Sequence, residues 1–135
     1  LSQIKNLSPL EYGQMRAKAM TAPGCDPAIM ERFASIAAET RRDGLKAAIQ
    51  VVSEANNSSL FAYLVMPVLV VAGELDKTVT KDLTEAMIAA IPDTVPDLMV
   101  NYIPNVAHAP YMEAPAVYNT LISEFLLGLK SNHCH

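Results

Sequence analysis

Two side chains in this sequence have the types and the order that proton-transfer chemistry asks for. Asp76 stands in Gly73-Glu74-Leu75-Asp76, and His108 stands in Asn105-Val106-Ala107-His108-Ala109-Pro110. A carboxylate that accepts from one imidazole nitrogen fixes the tautomer and leaves the other nitrogen free to act as a base. Either residue alone in a loop is ordinarily a solvated or capping group, so the reading rests on their joint placement. The neighbouring acids carry less. Glu74 is a competing carboxylate read as a solvated neighbour, and Asp82 and Glu85 fall in the first turn of an expected helix, where acids offset the dipole. Glu113 is read as a helix-start carboxylate rather than a catalytic one.

The elements that must position the pair can be read from local patterns. Pro67 to Gly73 is β-branched, continuously apolar and ended by glycine, the pattern of a strand covered on both faces in a parallel sheet. Lys81 to Ile91 reads as a helix with Leu83, Met87 and Ile91 inward, and Leu98 to Ile103 as a second short strand. Pro115 opens a last helix, with Val117, Leu121 and Phe125 on one side. Strand, helix, strand, helix is the order of an α/β fold. In open α/β sheets ligands bind beyond the carboxyl ends of the strands. Asp76 comes three residues after Gly73 and His108 five after Ile103, so a right-handed crossover brings both loops to one edge.

Upstream there are only helices. Ser8-Pro9-Leu10-Glu11 is a capping box with proline at the first helical position, so a helix runs from there to about Met20. Asp26-Pro27 starts another, with Ile29, Phe33, Ile36 and Ala37 on one face, and Asp43-Gly44 is expected to end it. Leu45, Ile49 and Val52 mark a third, shorter amphipathic helix, and Asn56 to Ser59 a loop. The chain is therefore divided into a helical segment at 1–62 and an α/β part at 63–135.

Over residues 65 to 130 the sequence resembles the α/β-hydrolase family, in its C-terminal half. Pro67-Val-Leu-Val-Val-Ala-Gly-Glu-Leu-Asp76 is similar to the family's seventh core strand and acid loop, and His108 followed by Glu113 and Pro115 to its histidine loop and final helix. The resemblance implies a partial α/β-hydrolase fold preceded by a helical, cap-like segment at 1–62, with Asp76 as triad acid and His108 as triad base, in the family's order. Ala107 stands where the family often has glycine, and Thr80 where it often has proline. The nucleophile elbow Gly-x-Ser-x-Gly occurs nowhere, and no two of the five glycines are four apart.

Composition narrows the classes. A net charge of −4, a pI near 5.2 and scattered basic residues argue against a nucleic-acid partner. The longest nearly apolar run, Leu60 to Ala72, is thirteen residues and contains Pro67, too short and broken to span a bilayer. No leader is visible, and Cys25 and Cys134 are read as free thiols of a reducing cytoplasm. No cofactor is expected, since no phosphate loop, dinucleotide fingerprint or zinc spacing is present. His133-Cys134-His135 is read as a polar tail rather than a metal site, because adjacent residues converge poorly on one ion. Met15, Met20, Met30 and Phe61 are weak candidates for an apolar substrate pocket.

The functional expectation is the acid-and-base portion of a serine-type hydrolase for a carboxylic ester, lactone or thioester with an apolar part. The elbow residue could also be aspartate. Its partner would be the nucleophile-bearing N-terminal half, on a second chain or a missing segment. The alternatives are a non-catalytic binding module on the half-fold and a self-assembling piece. Hydrophobic residues are 51% and charged ones 18% of 135 residues, with mean hydropathy +0.20. So apolar a chain with two strands, opening at Leu1 with its first methionine at Met15, reads as about half of one domain.

Overall fold

The structure, a computed structural model, describes residues 6–131. Helix α1 (Pro9–Met20) begins where the sequence places it. The Ser8 hydroxyl accepts from the Glu11 amide at 3.3 Å, and the Glu11 carboxylate accepts from the Ser8 amide at 2.7 Å. Helix α2 (Pro27–Ala38) starts on Asp26, whose carboxylate accepts from the Ala28 amide at 2.8 Å. The two helices form a hairpin that buries Tyr12, Ala17 and Ala34. Gly13 makes the close approach possible, because a Cβ there would collide with the Ala34 carbonyl.

The expected end of α2 at Asp43-Gly44 is corrected. Helix α2 stops at Ala38, and α3 (Arg42–Glu54) takes Asp43 into its first turn. Asp-Gly resembles a turn, but an acid near a helix N-terminus is stabilised by the dipole. Helix α3 is not the shorter one either, at 13 residues against 12 for α2. Asn56 to Ser59 is not all loop, since a 3₁₀ turn covers Ser58–Tyr63.

Strands β1 (Val68–Gly73) and β2 (Leu98–Ile103) pair in parallel, in register from Val68 against Leu98 to Gly73 against Ile103. Helix α4 (Lys81–Ala89) makes the crossover, two residues shorter than expected at its C-terminus. A four-residue helix α5 (Pro110–Glu113), which the sequence did not suggest, precedes α6 (Pro115–Ser131). The chain is thus mixed α/β: helices first, then two parallel strands with their helices.

Burial departs from expectation. Strand β1 is half-buried up to Gly73 rather than covered on both faces. On α4 the buried residue is Thr84, while the expected inward residues Leu83 and Met87 are 59% and 39% exposed. Val117 of α6 is 48% exposed. Apolar periodicity marks the face that needs a cover, and among the described residues nothing supplies one here. Besides the residues buried by the helical hairpin, the core that does form lies at the end of β2 and the loop after it, where Ile103, Val106, Ala107 and Ala109 are all nearly solvent-free. Among the described residues no helix is long and apolar enough to cross a membrane.

Candidate functional site

The two loops after the strands are locked together by backbone contacts. The Glu74 amide donates to the Ile103 carbonyl at 3.0 Å and the Leu75 amide to the Val106 carbonyl at 2.8 Å. Gly73 permits this: a Cβ on it would run into the carbonyl groups of Ala107 and Val106. The loop after β2 turns at Asn105, whose φ of 59° lies in the left-handed region that asparagine tolerates better than most side chains. Both loops leave the sheet at the same edge, as the crossover requires.

Asp76 and His108 meet there. His108 Nδ1 lies 2.8 Å from Asp76 Oδ2. The other oxygen, Oδ1, accepts from the amides of Thr78 at 2.7 Å and Val79 at 3.0 Å. The Asp76 side chain is 9% exposed and that of His108 30%. Burial pushes the Asp76 carboxyl upward, but the hydrogen bonds from His108, Val79 and Thr78, with the attraction of His108, outweigh it and hold the carboxyl below its ordinary value. An ionised carboxylate only accepts, so Nδ1 carries the proton of the neutral ring and Nε2 carries the lone pair. Among the described residues Nε2 has no hydrogen-bond partner. The pair borders a cavity of about 300 Å³, also lined by Gly73, Met87, Tyr111 and Tyr118.

This arrangement has a pH consequence. Because the folded-state value of Asp76 lies below the unfolded one, its contribution to stability is fully present above the ordinary aspartate range. That contribution is lost as pH falls through the lowered value. Acid titration of the chain followed by circular dichroism should show Asp76→Asn losing less stability than the parent on descent through this window. Parallel curves would contradict the assignment.

The weaker candidates are scattered. Met20 lines a separate cavity of about 520 Å³ with Phe33, and Met30 lines one along the helical hairpin and another between the hairpin and Leu75, Lys77 and Ala107. Tyr111 borders both the Met20 cavity and the one at Asp76 and His108. Met15 is 38% exposed on α1, and Phe61 is half-buried in the 3₁₀ turn. None of the four is among the residues lining the cavity at the pair. Glu74 is exposed, and Asp82 lies in the first turn of α4. Glu85 pairs with Lys81 at 3.6 Å on the surface. Cys25 is half-buried, and its thiol is pushed up by burial and by the nearby Glu113 and Asp26 carboxylates. Cys134 and the His133-Cys134-His135 tail lie outside the described residues. Among the described residues no group of three metal-ligating side chains occurs.

Sequence reasoning missed the task of Glu113. Its carboxylate accepts from the amides of Ala107, Ala109 and Ala22, the last 91 positions away. Only the first two were within reach of local spacing, through the five positions separating His108 from Glu113 and the small residues on either side of the histidine.

No family model matches the chain, and no curated protein matches it by sequence. Among solved structures it is similar to a thermophilic esterase from Thermogutta terrifontis, determined with malate bound. The TM-score is 0.76 at 21% identity, over 94% of this chain and 47% of that one. The chain spans about half the length of that esterase, and its two parallel strands, their helices and the helices before them match half of an esterase fold.

Proposed function

We propose that this chain supplies the acid and the base of a serine-type α/β-hydrolase acting on a carboxylic ester, lactone or thioester. The nucleophile would come from a segment outside it, on the same polypeptide or on a second one. The observation that carries the reading is the 2.8 Å contact between His108 Nδ1 and Asp76, with Nε2 unpartnered among the described residues and the pair bordering a cavity. The likeness to half of an esterase fold supports it.

In this reading a serine hydroxyl placed at Nε2 loses its proton to His108 as its oxygen attacks the substrate carbonyl. Asp76 holds the ring in the required tautomer and stabilises the imidazolium that forms. His108 then protonates the leaving oxygen or sulfur, and water, deprotonated by the same nitrogen, releases the acid. The half-exposed apolar faces of β1 and α4 would be covered by the missing portion of the sheet.

The test is hydrolysis of a short-chain chromogenic ester by this chain joined to, or mixed with, a nucleophile-bearing half. The expected result is turnover by the assembly and none by the chain alone. An assembly that forms and binds the ester without cleaving it would instead favour a binding module.

A further inference from the structure

The amides around His108 are not left to the loop itself. The Ala107 and Ala109 amides, on either side of the histidine, donate to Glu113 Oε1 at 3.1 and 3.3 Å. Between them the His108 amide donates to a different acceptor, the Met20 carbonyl at the end of α1, at 3.1 Å. The second oxygen of Glu113 returns to the same place, accepting from the Ala22 amide at 2.6 Å. Ala22, Ala107 and Ala109 are all buried, so these amides have no water to fall back on. One carboxylate therefore joins the histidine loop and the adjoining helix α5 to the turn that ends α1, 91 positions away in sequence.

We propose that Glu113 is a positioning residue for His108, tying the backbone on both sides of the imidazole to the end of the helical hairpin, so that the hairpin sets where Nε2 stands. This rests on the acid–base reading of Asp76 and His108. The hairpin is then a part of the catalytic geometry, and movement at Met20 to Ala22 is transmitted to the base through two hydrogen bonds. Glutamate suits the task because it accepts through both oxygens. Glutamine keeps the shape but turns one acceptor into a donor, which would face an amide that also donates.

The test compares Glu113→Gln with Thr21→Val and Asp76→Asn. Thr21→Val removes a hydrogen bond from the same turn, Thr21 Oγ1 to the Ala17 carbonyl at 2.8 Å, without touching the amides beside His108. Two readouts are taken: the ¹⁵N and ¹H signals of the His108 ring in the chain, and kcat and KM of the assembled hydrolase. Expected for Glu113→Gln is a shifted or broadened His108 Nδ1–H signal with kcat lowered about 100-fold and KM little changed, as for a misplaced catalytic group. Thr21→Val should lower the melting temperature and leave the ring signal in place. If Glu113→Gln behaves like Thr21→Val in both readouts, the residue is merely structural and the proposal is overturned. Should Glu113→Gln fail to fold, Ala22→Pro, which removes the amide that reaches Oε2 and sets the proline ring in its place, carries the same expectation for the ring signal, and an unmoved signal overturns the proposal. If Asp76→Asn leaves ring and kcat unchanged, it is the underlying acid–base reading that has failed.

Discussion

Replacing His108 with alanine should abolish ester hydrolysis by the assembled enzyme, lowering kcat on the order of 10⁴- to 10⁶-fold while leaving substrate binding largely intact. The size of the effect comes from the role. In the proposed mechanism His108 is the group through which the proton leaves the nucleophile and reaches the leaving group, and no other imidazole lies near the pair among the described residues. Its loss should also cost stability, because it leaves the Asp76 carboxylate, 9% exposed, without the hydrogen bond that does most to keep it ionised. Steady-state kinetics with the chromogenic ester, paired with thermal melts, would separate these effects. Retained turnover in a folded His108→Ala assembly would remove the histidine from the chemistry.

The second large effect is expected at Gly73, where the substituent is a single methyl. Its Cβ would meet the backbone of Ala107 and Val106, and backbone cannot swing aside as a long side chain can. Gly73→Ala must push the histidine loop away from the end of β1. That should destabilise by about 1–3 kcal/mol or more and stretch the Asp76–His108 contact, since both partners lie within a few residues of the clash. Gly128 is the internal control. It sits in α6 with open space at its Cβ, so Gly128→Ala should stabilise by about 0.5–1 kcal/mol through helix propensity. Urea denaturation of the two variants should therefore give shifts of opposite sign. A neutral Gly73→Ala would mean that the loops are less closely joined than the structure has them.

Much of the site is legible in the sequence because it depends on local order. The bounds of β2, the Ser8 capping box and the positions of Asp76 and His108 after two parallel strands are all set by patterns within a dozen residues. The illegible part depends on partners distant in sequence. Helical spacing identifies Leu83 and Met87 as an apolar face, but whether that face is covered depends on chain that the two described strands do not provide. Asp43-Gly44 misleads because the same dipeptide serves a turn or a first helical turn, and the amphipathic run from Leu45 onward decides for the helix. Glu113 reads as a helix-start carboxylate, since nothing in its neighbourhood reveals that the α1–α2 hairpin delivers the Ala22 amide to it. Gly73 reads as the end of a strand, and the sequence alone does not say that another loop presses against the place of its missing side chain.

The central claim is that Asp76 fixes the tautomer of His108 and leaves Nε2 as the base, and a two-bond ¹H–¹⁵N correlation spectrum of the histidine rings at neutral pH tests it most directly. The predicted result is an Nδ1-protonated, Nε2-unprotonated ring for His108 that loses this preference in Asp76→Asn. A ring that favours Nε2–H, or one that is indifferent to Asp76→Asn, would contradict it.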